Sequence, residues 1–470
     1  MALKVLFVSI FREGDGGGEG RVAFELARWC AQQAAVVMLC PGEKTGPASD
    51  DSGFHCFHIQ SAHQGKFSIP LLNAPTVRRL YRFLDAWQPD VIHIHDPALL
   101  GVAAQLWARL NRVPVFYTAH ILPSRALEFG PSELAGWLSG PLNDALVEQY
   151  LGNFYDNCDA VVGLNPAAVR EIREFGFRGP VFQIPNGRDL QQFGQAAFAD
   201  PLSPQKTLAF TGFLSRRKNQ LYLVEMLAHL PRSYELWLMG EDLTPGYTEE
   251  LNRLIRAHDL HVRFTGQFSQ AEIAAALAQV HAFVSASKME VQSLAVIEAL
   301  ASGTPVVGLA NETIEELVDD TDGVCLPKDT PPEAFAAAVQ RVCSLPTGEY
   351  HQLCRSARQR VQPLDRAHIV QQTLQAYQTV LTQRAAAQPA PPAREWIGQY
   401  LAQLPQGFLT PELAEFLSKR LEDALRQPVQ RARAVWLTGV NMVGAVIGFY
   451  VVQGPLKTYR RLRRLPLRRP

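Results

Sequence analysis

Along the first 384 residues, short apolar runs alternate with stretches in which apolar positions recur three and four apart. The runs predict buried strands and the spaced stretches predict amphipathic helices. Residues 4–10 are apolar and β-branched, 14–20 are glycine-rich, and 22–29 have helical spacing, so strand, turn and helix follow in that order. Further strands are expected at 36–40, 91–95, 113–117, 160–163 and 181–184, with a helix at 98–111. After about residue 200 the pattern restarts. Strands are expected at 208–210, 236–240, 262–265, 282–284 and 305–308, and helices at 220–230, 247–258, 270–279 and 292–302. Such alternation predicts parallel, doubly wound α/β sheets. It places one domain at 1–190, a second at 191–365, and a helix at 366–384 that returns to the first.

The pattern breaks at 385–393, a run of Ala and Pro that reads as a semi-rigid linker. A helical extension is expected over 394–470, with amphipathic stretches at about 394–404 and 410–426. Val435 to Val452 carries no charge, and a basic tail follows. The apolar segment is near the short limit for crossing a bilayer, and arginines flank it on both sides. A helix lying in an anionic membrane surface fits better, with Trp436 and Tyr450 at the interface. The alternative is a helix docked on protein.

Composition sharpens this picture. The chain has 470 residues, 47% hydrophobic, with 45 basic and 45 acidic residues. That length suits two or three domains, and the overall balance shows no nucleic-acid signature. Yet ten basic residues and no acidic ones follow Asp423, which leaves a net −10 on the rest. An acidic body with a basic tail gives the tail its own partner. The seven cysteines stand singly, with no C-x-x-C, so neither a zinc site nor a redox pair is indicated, and reduced cytosolic thiols are expected. The N-terminal apolar run is short for a signal peptide and reads as a strand.

Several clusters carry candidate chemistry. The run Gly14 to Gly20, including Gly17 and Gly18, lies between strand and helix, where backbone N–H groups can approach a donor phosphate or an acceptor. Its plain alternative is a flexible turn. Glu290 precedes a helix and Glu298 lies about two turns inside it. The first N–H groups of that helix, near Gln292, Ser293 and Leu294, are expected to face a diphosphate, with Glu298 accepting from ribose hydroxyls and Glu290 from sugar hydroxyls. Read blind, the same two glutamates fit a solvated helix face. His93 and His95 flank Ile94 and are expected on opposite faces of their strand, one of them packed and inert. Apolar residues between 123 and 150, among them Phe129 and Trp137, fit either an acceptor wall or ordinary helix packing.

The segment Glu290-Val-Gln-Ser-Leu-Ala-Val-Ile-Glu298, followed by Ala-Ser-Gly-Thr-Pro-Val307, resembles the E-x7-E region of retaining glycosyltransferases of family 4. Other elements resemble that family too: Gly17-Gly18, Asp90-Val-Ile-His-Ile-His95, Tyr117-Thr-Ala-His120, Ile184-Pro-Asn-Gly-Arg-Asp189 and Thr211-Gly-Phe-Leu-Ser-Arg-Arg-Lys218. The resemblance spans about residues 3–384. It implies a GT-B fold, two Rossmann-like domains facing a cleft, here with a C-terminal helical membrane-associating extension. It implies hexosyl transfer with retention from a nucleoside diphosphate sugar, UDP-sugar favoured over GDP-mannose, with no metal and no other cofactor. His120 and Glu290 would hold the sugar, Glu298 the ribose, and Lys218 the diphosphate. Phe213 stands where the family usually has Arg, so Arg216 or Arg217 is expected to supply the second cation. By fold analogy alone, a base is expected near the Phe264-to-Phe268 turn. The tail favours a lipid acceptor such as diacylglycerol or a glycolipid, and a body attached to the inner face of the membrane. A soluble or polysaccharide acceptor, an epimerase of the same fold, and a catalytically weak membrane-binding module are the alternatives.

Overall fold

Val5 to Val8 of the first strand, β1 (Lys4–Val8), have no exposed surface, which explains why the strand is a continuous apolar run and not an alternating one. The computed structural model describes residues 2–50, 52–64, 67–124, 150–194, 197–244 and 246–386. Most of the expected acceptor wall and linker, and the whole 394–470 extension with its apolar segment and basic tail, lie outside the described residues. No helix among the described residues is long and apolar enough to cross a membrane.

The chain divides into two compact units. Unit 1 comprises residues 1–163, 169–182 and the chain from Leu374; unit 2 comprises 164–168 and 183–373. Each is built on one sheet. In unit 1 the strands are β1, β2 (Ala35–Gly42), β3 (Gly46–Ser49), β4 (His55–Gln64), β5 (Phe67–Pro70), β6 (Val91–Ile94), β7 (Val115–Thr118), β8 (Ala160–Gly163) and β9 (Val181–Gln183). Their order is β3-β4-β2-β1-β6-β7-β8-β9, and β5 pairs with β4. Only β3 and β5 run antiparallel to the strand they pair with. In unit 2 the strands are β10 (Lys206–Thr211), β11 (Tyr234–Met239), β12 (Val262–Gly266), β13 (Ala282–Ser285), β14 (Val306–Leu309) and β15 (Gly323–Leu326), in the order β12-β11-β10-β13-β14-β15. All of these pair in parallel.

Both sheets are doubly wound. The order reverses between β1 and β6 in unit 1, and between β10 and β13 in unit 2. At such a switch the loops leaving the two strands diverge to opposite faces and open a crevice at the carboxyl ends, where α/β sheets bind ligands. These are the glycine run and the segment after β6 in unit 1, and the loops after β10 and β13 in unit 2.

The last described helix, Arg366–Ala386, starts in unit 2 and ends in unit 1. There Arg384 pairs with Asp159 at 2.5 Å, and Tyr377 packs edge-on to Phe116. Helix starts differ from expectation in two places. The first helix, Gly17–Cys30, begins inside the glycine run, and the helix after β13, Leu294–Ser302, begins two residues late. The expectation that His93 and His95 face opposite ways is wrong. Residues two apart on a strand share a face, and the two rings stack 4.6 Å apart.

Candidate functional site

In unit 2, the loop after β10 is shaped by close backbone approach. A Cβ on Gly240 would lie 2.1 Å from the Gly212 carbonyl oxygen, so the neighbouring β11 end closes on this loop only because no side chain intervenes. Gln220 is fully buried beneath the loop. Its Nε2 donates to the Phe213 carbonyl at 2.9 Å and its Oε1 accepts from the Ser215 N–H at 3.1 Å. The Lys218 N–H donates to the Ser215 carbonyl, and the Arg217 carbonyl accepts from the Lys288 N–H at 2.9 Å, which joins this loop to the one after β13.

That second loop is held by buried amides and hydroxyls. Asn311, the cap of the helix Glu312–Leu317, donates to the Ser287 carbonyl at 3.1 Å. Asn165 donates to the Val291 carbonyl at 2.6 Å. Gln292 accepts from the Asn186 N–H at 2.6 Å and donates to the Leu164 carbonyl at 3.2 Å. The two braced loops bring Lys218 and Glu290 together as an ion pair, with side chains 13% and 10% exposed.

Two features qualify the expected anion seat. The Ser293 N–H is already taken, since it donates to Thr313 Oγ1 at 2.8 Å. The N–H groups left for a phosphate therefore begin at Leu294, the first residue of the helix, and the Ser293 side chain caps none of them. Arg216 is exposed, pairs with Glu250 at 3.0 Å and lies over the Tyr247 ring, so the helix Tyr247–His258 engages it.

Glu298 is 2% exposed and pairs at 2.8 Å with Arg188, itself 1% exposed. The backbone of Arg188 is pinned: its N–H donates to the Leu364 carbonyl and its carbonyl accepts from the Arg366 N–H, both at 2.9 Å. Next to it, Arg366 pairs with Asp189 at 2.9 Å. Each side chain supplies the other's counter-charge, which offsets the cost of burying both.

Unit 1 has its own polar group at the corresponding strand ends. Gly17 opens the first helix with φ +58°, and Gly18 follows it, exposed. Asp96, after β6, accepts from the Ile10 N–H at 2.6 Å, and burial pushes its carboxyl up to about 7. Burial also pushes the Glu19 carboxyl up, with Asp96 adding to the effect. On the other face, His93 hydrogen-bonds through Nδ1 to the Tyr377 hydroxyl at 2.5 Å and through Nε2 to Thr118 Oγ1 at 2.7 Å. His95 Nδ1 and His120 Nε2 are bonded at 2.9 Å. Burial pushes His93 and His120 down to about 3, and His95 down as well, so all three imidazoles are uncharged at neutral pH.

Thus the structure joins Lys218 to Glu290, and sets Leu294 and Glu298 on one helix with Ser293 as its cap and Gln292 just before it. Sequence reading gave no role to Arg188, Gln220, Asn311, Thr313 or Tyr377. Arg188 lies within the Ile184-to-Asp189 segment that resembles the family. Phe264, Thr265, Gly266, Gln267 and Phe268 carry no titratable side chain, so a base near this turn would come from residues flanking it.

Comparison with known proteins agrees with the architecture. The model of Glycosyltransferase Family 4 matches residues 16–192, and that of Glycosyl transferases group 1 matches residues 205–344. A GDP-mannose-dependent alpha-mannosyltransferase of Corynebacterium glutamicum is 26% identical over 326 residues, 67% of this chain and 71% of its own. Glycogen synthase of Mycobacterium tuberculosis is 29% identical over 323 residues, 65% of this chain and 72% of its own. The alpha-monoglucosyldiacylglycerol synthase of Streptococcus pneumoniae is 25% identical over 250 residues, 50% and 55%. Among solved structures, Anabaena HepE in complex with UDP and glucose superposes with a TM-score of 0.64 at 18% identity, over 80% of this chain and all of that one. The fold is that of the GT-B glycosyltransferases.

Proposed function

The chain belongs to glycosyltransferase family 4, and on that premise we propose that it moves a hexose, with retention, from a nucleoside diphosphate sugar to a membrane lipid such as diacylglycerol or a glycolipid. The observation that carries the reading is the Lys218–Glu290 pair at the mouth of β10 and β13, beside the start of the helix Leu294–Ser302. A Lys ammonium has three donors, so it can keep Glu290 and still hold a phosphate oxygen. As the sugar–phosphate bond breaks, negative charge grows on the diphosphate. Lys218, Arg217 and the N–H groups from Leu294 onward supply fixed positive counter-charge there without a metal.

Glu290 accepts from hydroxyls of the transferring sugar and Glu298 from the ribose. His120, uncharged, contacts the sugar as a neutral hydrogen-bonding group, and Gly17 and Gly18 line the approach. With no titratable group at 264–268, the attacking hydroxyl loses its proton to the departing diphosphate oxygen on the same face. UDP-glucose is the first donor to test. Support for the lipid acceptor comes from the diacylglycerol-glucosylating relative and from the charge asymmetry, with a net positive segment after Asp423 suited to the inner membrane face. The glycogen synthase relative favours a second reading, a polysaccharide acceptor.

Radiolabelled UDP-glucose, liposomes containing diacylglycerol and the full chain test the two together. Label in the organic phase, with an α-linked product, is the expected result. UDP release without lipid label, or label in polysaccharide when glycogen is added, removes the lipid acceptor. An altered sugar still attached to UDP removes the transferase reading.

A further inference from the structure

The cysteines, scattered in sequence, are not scattered in space. β2 and β4 pair in parallel with Met38 opposite Cys56 and Cys40 opposite His58. Residues directly opposite, and those two apart on one strand, share a face of the sheet. Met38, Cys40, Cys56 and His58 therefore form a two-by-two patch of sulfur, sulfur, sulfur and imidazole on a single face. The thiol sulfurs of Cys40 and Cys56 and a ring nitrogen of His58 all lie within 4.8 Å of one another. Among the described residues this is the one group of three or more His, Cys, Asp or Glu side chains whose ligand atoms lie that close together.

Packing fixes the ring. Gly42, two residues beyond Cys40, has no side chain, and a Cβ there would lie 2.6 Å from His58 Cβ and Cγ. The imidazole thus lies against the bare backbone of β2, on the side where the thiols are. Met38 is fully buried, Cys40 and Cys56 nearly so, and His58 is half-buried, so the ring is the exposed edge of the patch. The Cys56 thiol is hydrogen-bonded by Cys40 and by His58. No disulfide joins them; all seven cysteines are free.

We propose that Cys40, Cys56 and His58, with Met38 beside them, bind one soft, thiophilic d10 cation, Cu+ or Zn2+. Tetrahedral metal–sulfur bonds of about 2.3 Å and metal–nitrogen bonds of about 2.0 Å set donors roughly 3.5–4 Å apart, which these side chains reach by small rotations. Thiolate and imidazole are ligands of both ions, and a thioether as fourth donor favours Cu+. The cation would tie β4, which carries the antiparallel β3 and β5, to the parallel core at β2. The site is independent of the sugar-transfer reading.

The test uses the full chain, reduced and metal-free, with Zn2+ alone or with Cu+ alone held by a competing chelator under anaerobic conditions. One equivalent should bind tightly, and the melting temperature should rise. With Co2+ as a spectroscopic probe, sulfur-to-metal charge transfer should appear in the near ultraviolet. Cys56→Ser and His58→Gln should each weaken binding by at least tenfold, and His58→Gln, at a half-buried position, keeps the test open if the serine variant fails to fold. Cys325→Ser, outside the patch, should bind as the parent does. Weaker Cu+ binding in Met38→Leu places Met38 in the shell, and unchanged binding leaves a three-ligand site. Substoichiometric binding of both ions, or undiminished binding in His58→Gln, overturns the proposal.

Discussion

In unit 2 the buried polar groups at the strand mouths are ions set against ions, Glu298 against Arg188 and Glu290 against Lys218. In unit 1 the ends of β6 and β7 carry three imidazoles that burial keeps uncharged, with His93 bonded to the neutral hydroxyls of Tyr377 and Thr118. The same doubly wound frame therefore solves the cost of burial in two ways. An ion pair keeps full charges available, and either partner can turn toward a charged ligand. A neutral chain such as Tyr377–His93–Thr118 holds fixed donors and acceptors and offers no net field. The first suits a departing diphosphate and the second suits sugar hydroxyls.

The comparison breaks most easily at Arg188. Removing one member of a buried pair strands the other, at a cost of about 3–5 kcal/mol. Arg188→Met should destabilise the chain by that much in urea unfolding, and adding Glu298→Leu should recover most of the loss. If the single variant is as stable as the parent, the pair does not compensate itself and the contrast with unit 1 fails. Glu298→Gln should in addition weaken donor binding; unchanged affinity would remove the ribose role.

Lys218→Met comes next. A single positive donor aimed at developing charge is worth about 10²–10³ in kcat. We expect kcat to fall by that factor while KM for the donor changes little. A variant that changes KM alone would mean that Lys218 binds the diphosphate equally before and during bond breaking.

The two kinds of site were not equally legible in the sequence. Strands buried on both faces, such as β1 and β13, read as apolar runs, and the Glu290–Glu298 spacing with its flanks was enough to place the helix Leu294–Ser302 to within two residues. β4 was missed because His58 and Gln60 interrupt its apolar positions Phe57 and Ile59, on a strand half of which faces outward. Arg188 lies in the segment Ile184 to Asp189 that resembles the family, but its partner Glu298 is on a helix far along the chain that only the fold brings near. The Cys40–Cys56–His58 group needs the strand register, which no spacing within one strand reveals. Ser293 was read as an anion donor because a helix start leaves N–H groups open, and only the fold shows Thr313 reaching across to take one.

Acidity tests unit 1. His93 and His120 stay neutral down to about 3 against an ordinary value of 6.5. Between those values the unfolded chain binds protons that the native chain refuses, so these groups lower stability as pH falls. Asp96 acts in the opposite sense. Its carboxyl rises from 3.8 to about 7, so the native chain keeps a proton that the unfolded chain loses, and stability falls as pH rises through that window. Asp96→Asn removes only the second trend. Relative to the parent, the variant should gain on the order of 1.4 kcal/mol per pH unit from about pH 4 to about pH 7, then level off. A flat difference across urea titrations at several pH values would show that the carboxyl is ionised in the native chain.

The smallest effect sharpens the assignment of the second cation in unit 2. Arg216 is 65% exposed and its pair with Glu250 is open to solvent and salt. Such pairs contribute about 0.2–1 kcal/mol, so Arg216→Ala should cost no more than that in stability and leave kcat near the parent value. Arg217→Ala should lower kcat, because this side chain is less exposed and adjoins Lys218; the Arg217 carbonyl separately fastens the Lys218 loop to the Glu290 loop through the Lys288 N–H. A backbone contact survives the alanine substitution, so any loss of kcat reports the guanidinium and not the brace. If Arg216→Ala is the more damaging of the two, the helix Tyr247–His258 holds the missing cation ready for the diphosphate, and the contrast between a paired surface arginine and a working one reverses.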